Sequence, residues 1–309
     1  MRYGIALPNY GPLATPENLL RLARHAELRG IDSVWVSDHV IVPDHVESSY
    51  PYDRNPQPAA ALMQRLEHFY DALTTLAFLA GATTRIRLGV SVYVVPLRNP
   101  VLTAKTVASL DALSGGRVIF GCGVGWLREE FDALHADFDA RGALTDEYLR
   151  ICRDLWIADV VHFAGPRYLA PPVRGRPKPV QQPHPPIWIG GNSLPALRRA
   201  ARYGNGWHPI DLSPPEVATH VRTLRDLCAT VGRDAGEITV SLRRTIRVLD
   251  ADPHPAEWLA GTATKIRADV AAYAAAGAEY LVLNTRHART IDEMVEQIDR
   301  VVLEVFGGR

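Results

Sequence analysis

An acid followed directly by an imidazole, Asp38-His39, closes the apolar run Ser33 to Ser37. Neighbouring groups of this kind can move a proton, hold a metal or simply pack a ring, and the position at the end of an apolar run is what raises the chemical readings. A second run ends Gly89-Val90-Ser91-Val92-Tyr93-Val94, after which Pro96, Asn99 and Pro100 turn the chain into an N-capped helix. A third ends Phe120-Gly121-Cys122-Gly123-Val124-Gly125-Trp126, where the glycines admit either the flat face of a ligand or a crowded turn. The fourth, Pro186-Ile187-Trp188-Ile189-Gly190-Gly191-Asn192-Ser193, feeds a helix that opens at Leu194-Pro195. The free N–H groups and dipole of that helix start make an anion site, unless Asn192 and Ser193 merely cap a glycine turn.

Several chemistries find no support in the 309 residues. No Gly-Lys-Ser or Gly-Lys-Thr follows the glycines, no Gly-x-Ser-x-Gly elbow occurs, and no spaced His or Cys cluster suggests a metal. Cys122, Cys152 and Cys228 are too scattered for a disulfide framework and read as reduced, structural thiols. Lys plus Arg (34) balances Asp plus Glu (34), so the overall charge does not favour nucleic acid. With 47% hydrophobic and 22% charged residues, the composition is that of a soluble globular protein. Neither an apolar leader nor an 18-residue apolar run is seen, which predicts a cytoplasmic protein without a membrane span.

The elements that must position these residues alternate. Short β-branched runs (Tyr3 to Leu7, Ser33 to Ser37, Ile86 to Val94, Val118 to Gly123, Ile187 to Ile189, Gly206 to His208, Ile238 to Arg243, Tyr280 to Asn284) are separated by amphipathic stretches. Thr15-Pro16-Glu17 opens one helix and Gly30 suits its stop; Thr290 and Glu293 form a capping box before a three-four apolar face running from Ile291 to Val305. Eight such units predict a single α/β domain over residues 1–309, a (β/α)8 TIM barrel, with a doubly wound open sheet as the structural alternative. Val40 to Glu67 and Trp156 to Pro186 exceed what a plain barrel needs and are expected to be functional loop insertions after strands two and four. The second carries Arg167, Arg174, Arg176 and Lys178 with no acid between Val160 and Gly190, as a solvated linker or an anion-facing flap.

Taken in order, these segments resemble the luciferase-like monooxygenase superfamily, and specifically its coenzyme F420-dependent oxidoreductase branch. The likeness rests on Gly4-Ile5-Ala6-Leu7-Pro8, Ser37-Asp38-His39, Arg87 to Val92, Asn99-Pro100 through Asp111 to Gly115-Gly116-Arg117, Gly121 to Trp126, and Pro186 to Gly191. It implies a bacterial luciferase-like barrel in which Asp38 and His39 sit beside a tricyclic ring and a cis Ser91–Val92 peptide forms a bulge behind it. It further implies that Gly123, Val124 and Gly125 line the cofactor groove and that Gly190, Gly191, Asn192 and Ser193 hold the cofactor phosphate. The basic segment 167–178 then gains a possible partner in the anionic tail of F420.

The reaction implied is hydride transfer between the deazaflavin and a small organic substrate, in a homodimer. His39 would handle a proton or polarise the substrate, and Asp38 would fix its orientation. Where the family's sugar-phosphate dehydrogenases carry a Glu after the fourth-strand glycines, this chain has Trp126. An apolar or aromatic substrate among Trp126, Tyr50, Tyr52, Phe69 and Tyr70 is therefore expected in place of a sugar phosphate. The alternatives are an FMN-dependent monooxygenase using reduced flavin and dioxygen, a non-catalytic flavin-binding protein, and a barrel hydrolase holding a metal on Asp38, His39 and His208.

Overall fold

A computed structural model describes residues 1–52, 66, 68–254, 257–285 and 287–307. Its strands are β1 (Arg2–Ala6), β2 (Ser33–Val36), β3 (Arg87–Val90), β4 (Tyr93–Val94), β5 (Val118–Gly123), β6 (Val161–Ala164), β7 (Leu169–Val173), β8 (Ile187–Gly190), β9 (Gly206–His208), β10 (Thr239–Thr245), β11 (Arg247–Val248), β12 (Ala260–Gly261) and β13 (Tyr280–Asn284). The helices are α1 (Pro16–Leu28), α2 (Ala72–Ala80), α3 (Pro100–Leu113), α4 (Arg128–Ala133), α5 (Arg141–Ile157), α6 (Leu194–Tyr203), α7 (Pro214–Thr230), α8 (Ala263–Ala275) and α9 (Ile291–Arg300).

Strands β3, β2, β1, β13, β10, β9, β8 and β5 pair in that order, all parallel, and β5 closes the ring by pairing with β3 at Leu88↔Val118. The result is a closed eight-stranded parallel barrel ringed by helices, each expected run contributing one strand. The third run is interrupted: Ser91 and Val92 leave the ladder, and β4 rejoins β5 at Tyr93↔Cys122 and Val94↔Gly123.

Two tryptophans fill the barrel interior. Trp35 and Trp188 are joined there by Ile119, Tyr280 and Val282, with Trp35 Nε1 donating to Ser33 Oγ at 2.6 Å. Such rings leave no volume for neighbours, so the facing strand positions are glycines. A Cβ at Gly4 or Gly89 would run into Trp35, and one at Gly206 into Trp188. The barrel interior is thus packed solid, and chemistry is confined to the mouth at the carboxyl ends of the strands.

Capping signals place the helices as the local sequence dictates. Thr15 accepts from the Asn18 N–H at 3.2 Å to open α1, which buries Leu19, Leu22, Ala23 and Ala26. Thr290 caps α9 through the Glu293 N–H, while the Glu293 carboxylate reaches the N–H of Arg289, one residue before the cap. Met294 and Ile298 of α9 and Val301, Val302 and Val305 of the turn after it are buried as the spacing predicts.

The insertion after strand four is not core-free. β6 and β7 form an antiparallel hairpin with Val161 and Phe163 buried. Arg176 pairs with Asp159 at 3.0 Å, and Lys178 caps the carbonyls of Leu155 and Ala158 at the end of α5. Barrel helices run back against the strands, so this is the end opposite the mouth. The expectation that the basic segment faces a cofactor tail is corrected for Arg176 and Lys178: the Arg176 charge is met by Asp159, and the Lys178 charge completes a helix C-terminus. Of the Val40–Glu67 insertion, residues 53–65 and 67 lie outside the described residues. Among the described residues no helix is long and apolar enough to cross a membrane.

Candidate active site

His39 follows β2 and points into the mouth with its side chain 14% exposed. Its Nδ1 lies 3.0 Å from Oε2 of Glu130, a residue of α4 whose side chain is 2% exposed. The other Glu130 oxygen accepts the N–H groups of Val40 (2.5 Å) and Ile41 (3.3 Å). A carboxylate already accepting two donors acts as the acceptor for Nδ1–H as well, so Nε2 carries the lone pair. Nε2 makes no hydrogen bond to the described residues. Phe69 and Trp126 meet the ring edge-on, with centroids 5.4 and 6.0 Å away. The arrangement is a carboxylate-oriented imidazole, which can take up and return a proton at Nε2.

Asp38 does not hold His39. Its two oxygens take a bidentate pair from Arg98, 2.7 Å for each bond, and Oδ2 also accepts the Val94 N–H at 2.8 Å. Burial pushes the Asp38 carboxyl above the ordinary range, with Arg98, Val94 and His39 pulling the other way. Burial likewise works against the Arg98 charge, but the Asp38 carboxylate outweighs it and raises the guanidinium above its usual value. Arg98 also lies over the Tyr93 ring at 4.3 Å. The orienting role expected of Asp38 therefore passes to Glu130, because both Asp38 oxygens are spent clamping the end of β2 onto β4.

That clamp flanks the bulge. The Ser91–Val92 peptide is cis, as the resemblance implied. The Val92 side chain fills the space that side chains on Gly123 and Gly190 would need, since a Cβ on either would come within 2.7 Å of a Val92 methyl. Gly125 (φ +81) would collide with Phe131 and Val94. Gly123, Gly190 and Gly125 are thus explained by packing around the bulge. Val124 is half-buried beside them.

On the other flank, Ser91 Oγ is 2.8 Å from His208 Nε2, and Ser241 Oγ is 2.6 Å from His208 Nδ1. Ser241 donates its own proton to the Trp207 carbonyl, so Nδ1–H donates to Ser241 and Nε2 accepts from Ser91. Burial, then the charge of Arg243, pushes His208 down to about 3, which keeps this imidazole neutral. With both nitrogens of His208 engaged and Asp38 bound to Arg98, these residues do not offer a ligand set, and the described residues contain no group of three metal ligands.

Past β8 the loop turns at Gly191 (φ +113) into α6. Ser193 caps α6 by accepting from Ala196, and Asn192 exchanges two hydrogen bonds with the backbone of Ile210 (2.8 and 3.0 Å). The side chains expected to hold a phosphate are thus committed to the loop itself. The N–H groups of Asn192, Ser193 and Leu194 make no hydrogen bond to the described residues, so the backbone remains able to receive an anion there.

The expected aromatic wall largely forms. Tyr50 meets Trp126 and Tyr52, and Phe69 stacks on Tyr10 at 5.2 Å, placing Trp126, Phe69 and His39 in one run of ring contacts. Tyr70 is exposed and takes no part in it. Glu130, Arg98 and Arg243 escaped the sequence reading, as did the role of His208. The one signal available for them was the acid pair Glu129-Glu130, shortly after the Gly125 turn and opening a helix.

This layout can be set beside known proteins. Residues 1–301 match the family described as luciferase-like monooxygenase. The chain belongs to that family. An uncharacterised protein from Mycobacterium tuberculosis (strain ATCC 25618 / H37Rv) is 34% identical over 212 residues, 69% of this chain and 72% of that one. Among solved structures, the monooxygenase RslO1 from Streptomyces bottropensis superimposes with TM-score 0.81 at 22% identity, covering 99% of both chains. An F420-dependent secondary alcohol dehydrogenase in complex with an F420–acetone adduct gives 0.77 at 17%, covering 98% of both. This luciferase-like barrel is therefore an oxidoreductase or monooxygenase by family, with neighbours that use either deazaflavin or flavin.

Proposed function

We propose that this chain is an F420-dependent oxidoreductase transferring a hydride between the deazaflavin and a small organic substrate with an apolar body, as a homodimer. The observation that carries the reading is the imidazole of His39, fixed at Nδ1 by the buried Glu130 and free at Nε2 beside an aromatic wall. Interconversion of an alcohol and a carbonyl by hydride transfer needs one proton moved at the substrate oxygen, and this imidazole is built for that. The Ser37-Asp38-His39 sequence favours the deazaflavin branch.

The residues fit such a group. The open amides at the start of α6 suit its phosphate, and the Ser91–Val92 bulge, held by Asp38 on one flank and His208 on the other, offers a stiff backing. When bound, the deazaflavin supplies a centre that accepts or gives up a hydride. His39 Nε2 takes the proton from a substrate hydroxyl, and Glu130 stabilises the imidazolium so formed; in the reverse direction the same Nε2–H returns the proton. Tyr50, Tyr52, Phe69 and Trp126 exclude water around the substrate. Asp38, bound to Arg98, acts as a positioning residue.

The test is titration of the apoprotein with F420 and, separately, with FMN, followed by assay with secondary alcohols. Micromolar or tighter F420 binding with weaker FMN binding is expected. Tight FMN binding with substrate-dependent oxygen consumption would make it a monooxygenase instead, and binding of neither would refute a flavin or deazaflavin role.

A further inference from the structure

Arg243, near the carboxyl end of β10, is half-buried on the floor of the mouth. Its Nη1 is bonded to three oxygens, the Ser91 carbonyl (2.8 Å), Ser37 Oγ (3.2 Å) and Ser91 Oγ (3.3 Å). Its Nε and Nη2 bond to none of the described residues, and among the described residues no carboxylate pairs with it. By contrast, Arg98 is compensated by Asp38, Arg199 by Asp146, and Arg117 by four backbone carbonyls and the Thr83 hydroxyl. A half-buried cation without a counter-charge is costly, and a guanidinium with two donors to spare presents the planar fork that suits a carboxylate.

The neighbours add to this. Ser37 Oγ accepts from Arg243, and its proton is given to none of the described residues, so a third donor faces the same place. Ser91 is already committed to His208, which is neutral and adds no charge. Ser37 lies two residues before His39 along the segment that ends β2, which sets the cationic fork near the proton-transferring imidazole.

We infer that Arg243, with Ser37, is the receptor for an anionic oxygen of the reacting molecule, a carboxylate or an enolate-type oxygen. The inference deepens the oxidoreductase reading and rests on it for the word reacting: the substrate has an apolar body for the aromatic wall and one anionic oxygen for Arg243. The same chemistry could be supplied by the anionic pyrimidine edge of the reduced cofactor, and the experiment separates the two.

The apoprotein is titrated with benzoate and with its neutral counterpart benzamide, followed by saturation-transfer NMR, in the wild type and in Arg243→Gln and Arg243→Lys, all checked by circular dichroism. Benzoate is expected to bind saturably and about tenfold or more tighter than benzamide, with Arg243→Gln erasing that preference and Arg243→Lys keeping part of it. Binding of oxidised and reduced F420 and FMN is measured on the same proteins. If benzoate shows no preference but Arg243→Gln weakens the reduced cofactor about tenfold or more while sparing the oxidised form, the anionic oxygen is the cofactor's and the receptor stands. Equal benzoate and benzamide binding in the wild type, with no loss selective for the reduced cofactor in the variant, overturns it. A protein that bound neither cofactor would sink the oxidoreductase reading, while the benzoate arm would still decide whether the receptor exists.

Discussion

Replacing Glu130 by Gln tests the assignment of His39 without touching the imidazole. The wild-type carboxylate accepts from His39 Nδ1, Val40 N–H and Ile41 N–H. Glutamine keeps one acceptor oxygen for the two backbone donors but turns an NH₂ toward Nδ1. His39 must then accept at Nδ1, which moves its proton to Nε2 and removes the lone pair the mechanism needs. Losing a positioned general base costs on the order of a hundredfold or more in kcat. The remaining hydrogen bonds limit the stability loss to about 1 kcal/mol. The tautomer is read by ¹⁵N NMR of histidine-labelled protein, and kcat with a secondary alcohol that the wild type turns over; cofactor affinity is expected to stay within about twofold because the one candidate cofactor residue that Glu130 bonds, His39, keeps its ring in place and only exchanges its tautomer. A His39 that keeps its proton on Nδ1 in the variant, or a kcat within about threefold of wild type, would refute the reasoning.

Asp38→Asn breaks the buried pair with Arg98 and is expected to cost about 3 kcal/mol in chemical denaturation, with Asp38→Asn/Arg98→Met recovering a part of it. Because the folded His208 titrates near 3, against 6.5 for an exposed imidazole, the unfolded chain binds the proton first on acidification, so stability falls as pH drops below about 6.5. Between pH 7 and pH 4.5 this group alone removes about 3 kcal/mol, and a folded His208→Gln variant should show a correspondingly shallower acid slope. Gly190→Ala forces a methyl against Val92 and is expected to cost about 1–3 kcal/mol; Val92→Ala in the same chain should relieve most of it, and additive effects would show that Val92 is not the cause.

What could be read from the residues was local. Each barrel strand is a short buried run between helix punctuation such as Thr15-Pro16 or Thr290, and the signal for each lies within a few residues of the element it makes. The site depended on pairings that no local pattern encodes. Asp38 and His39 stand side by side, yet their partners arrive from Arg98, 60 residues on, and Glu130, 91 residues on. Adjacency suggested that one held the other, but consecutive side chains leaving a strand point apart, and each found its own counter-group. Arg176 and Lys178 of the basic stretch misled for a related reason. Charge composition says nothing about which end of a barrel a segment reaches, whereas Lys178 was bound to meet the exposed carbonyls of α5 once that helix ended at Ile157.

The same separation explains how a bulge can stay rigid at the rim of a fully packed barrel. Beneath it, Trp35 and Trp188 leave no room for the floor to sink. On one flank the Asp38–Arg98 pair grips Val94, just after the bulge; on the other, His208 and Arg243 grip Ser91 itself. Val92, between them, is fitted into the spaces left by Gly123 and Gly190. The grips come from separate strands, the end of β2 for Asp38, β9 for His208 and β10 for Arg243, so loosening one leaves the bulge held by the others. His39 sits outside these grips, hydrogen-bonded among the described residues to Glu130, and so its proton chemistry can be altered by substitution with the backing left in place. That division predicts different readouts for the two sets: changes at Glu130 act on turnover, while changes at Asp38, Val92 or His208 act first on stability.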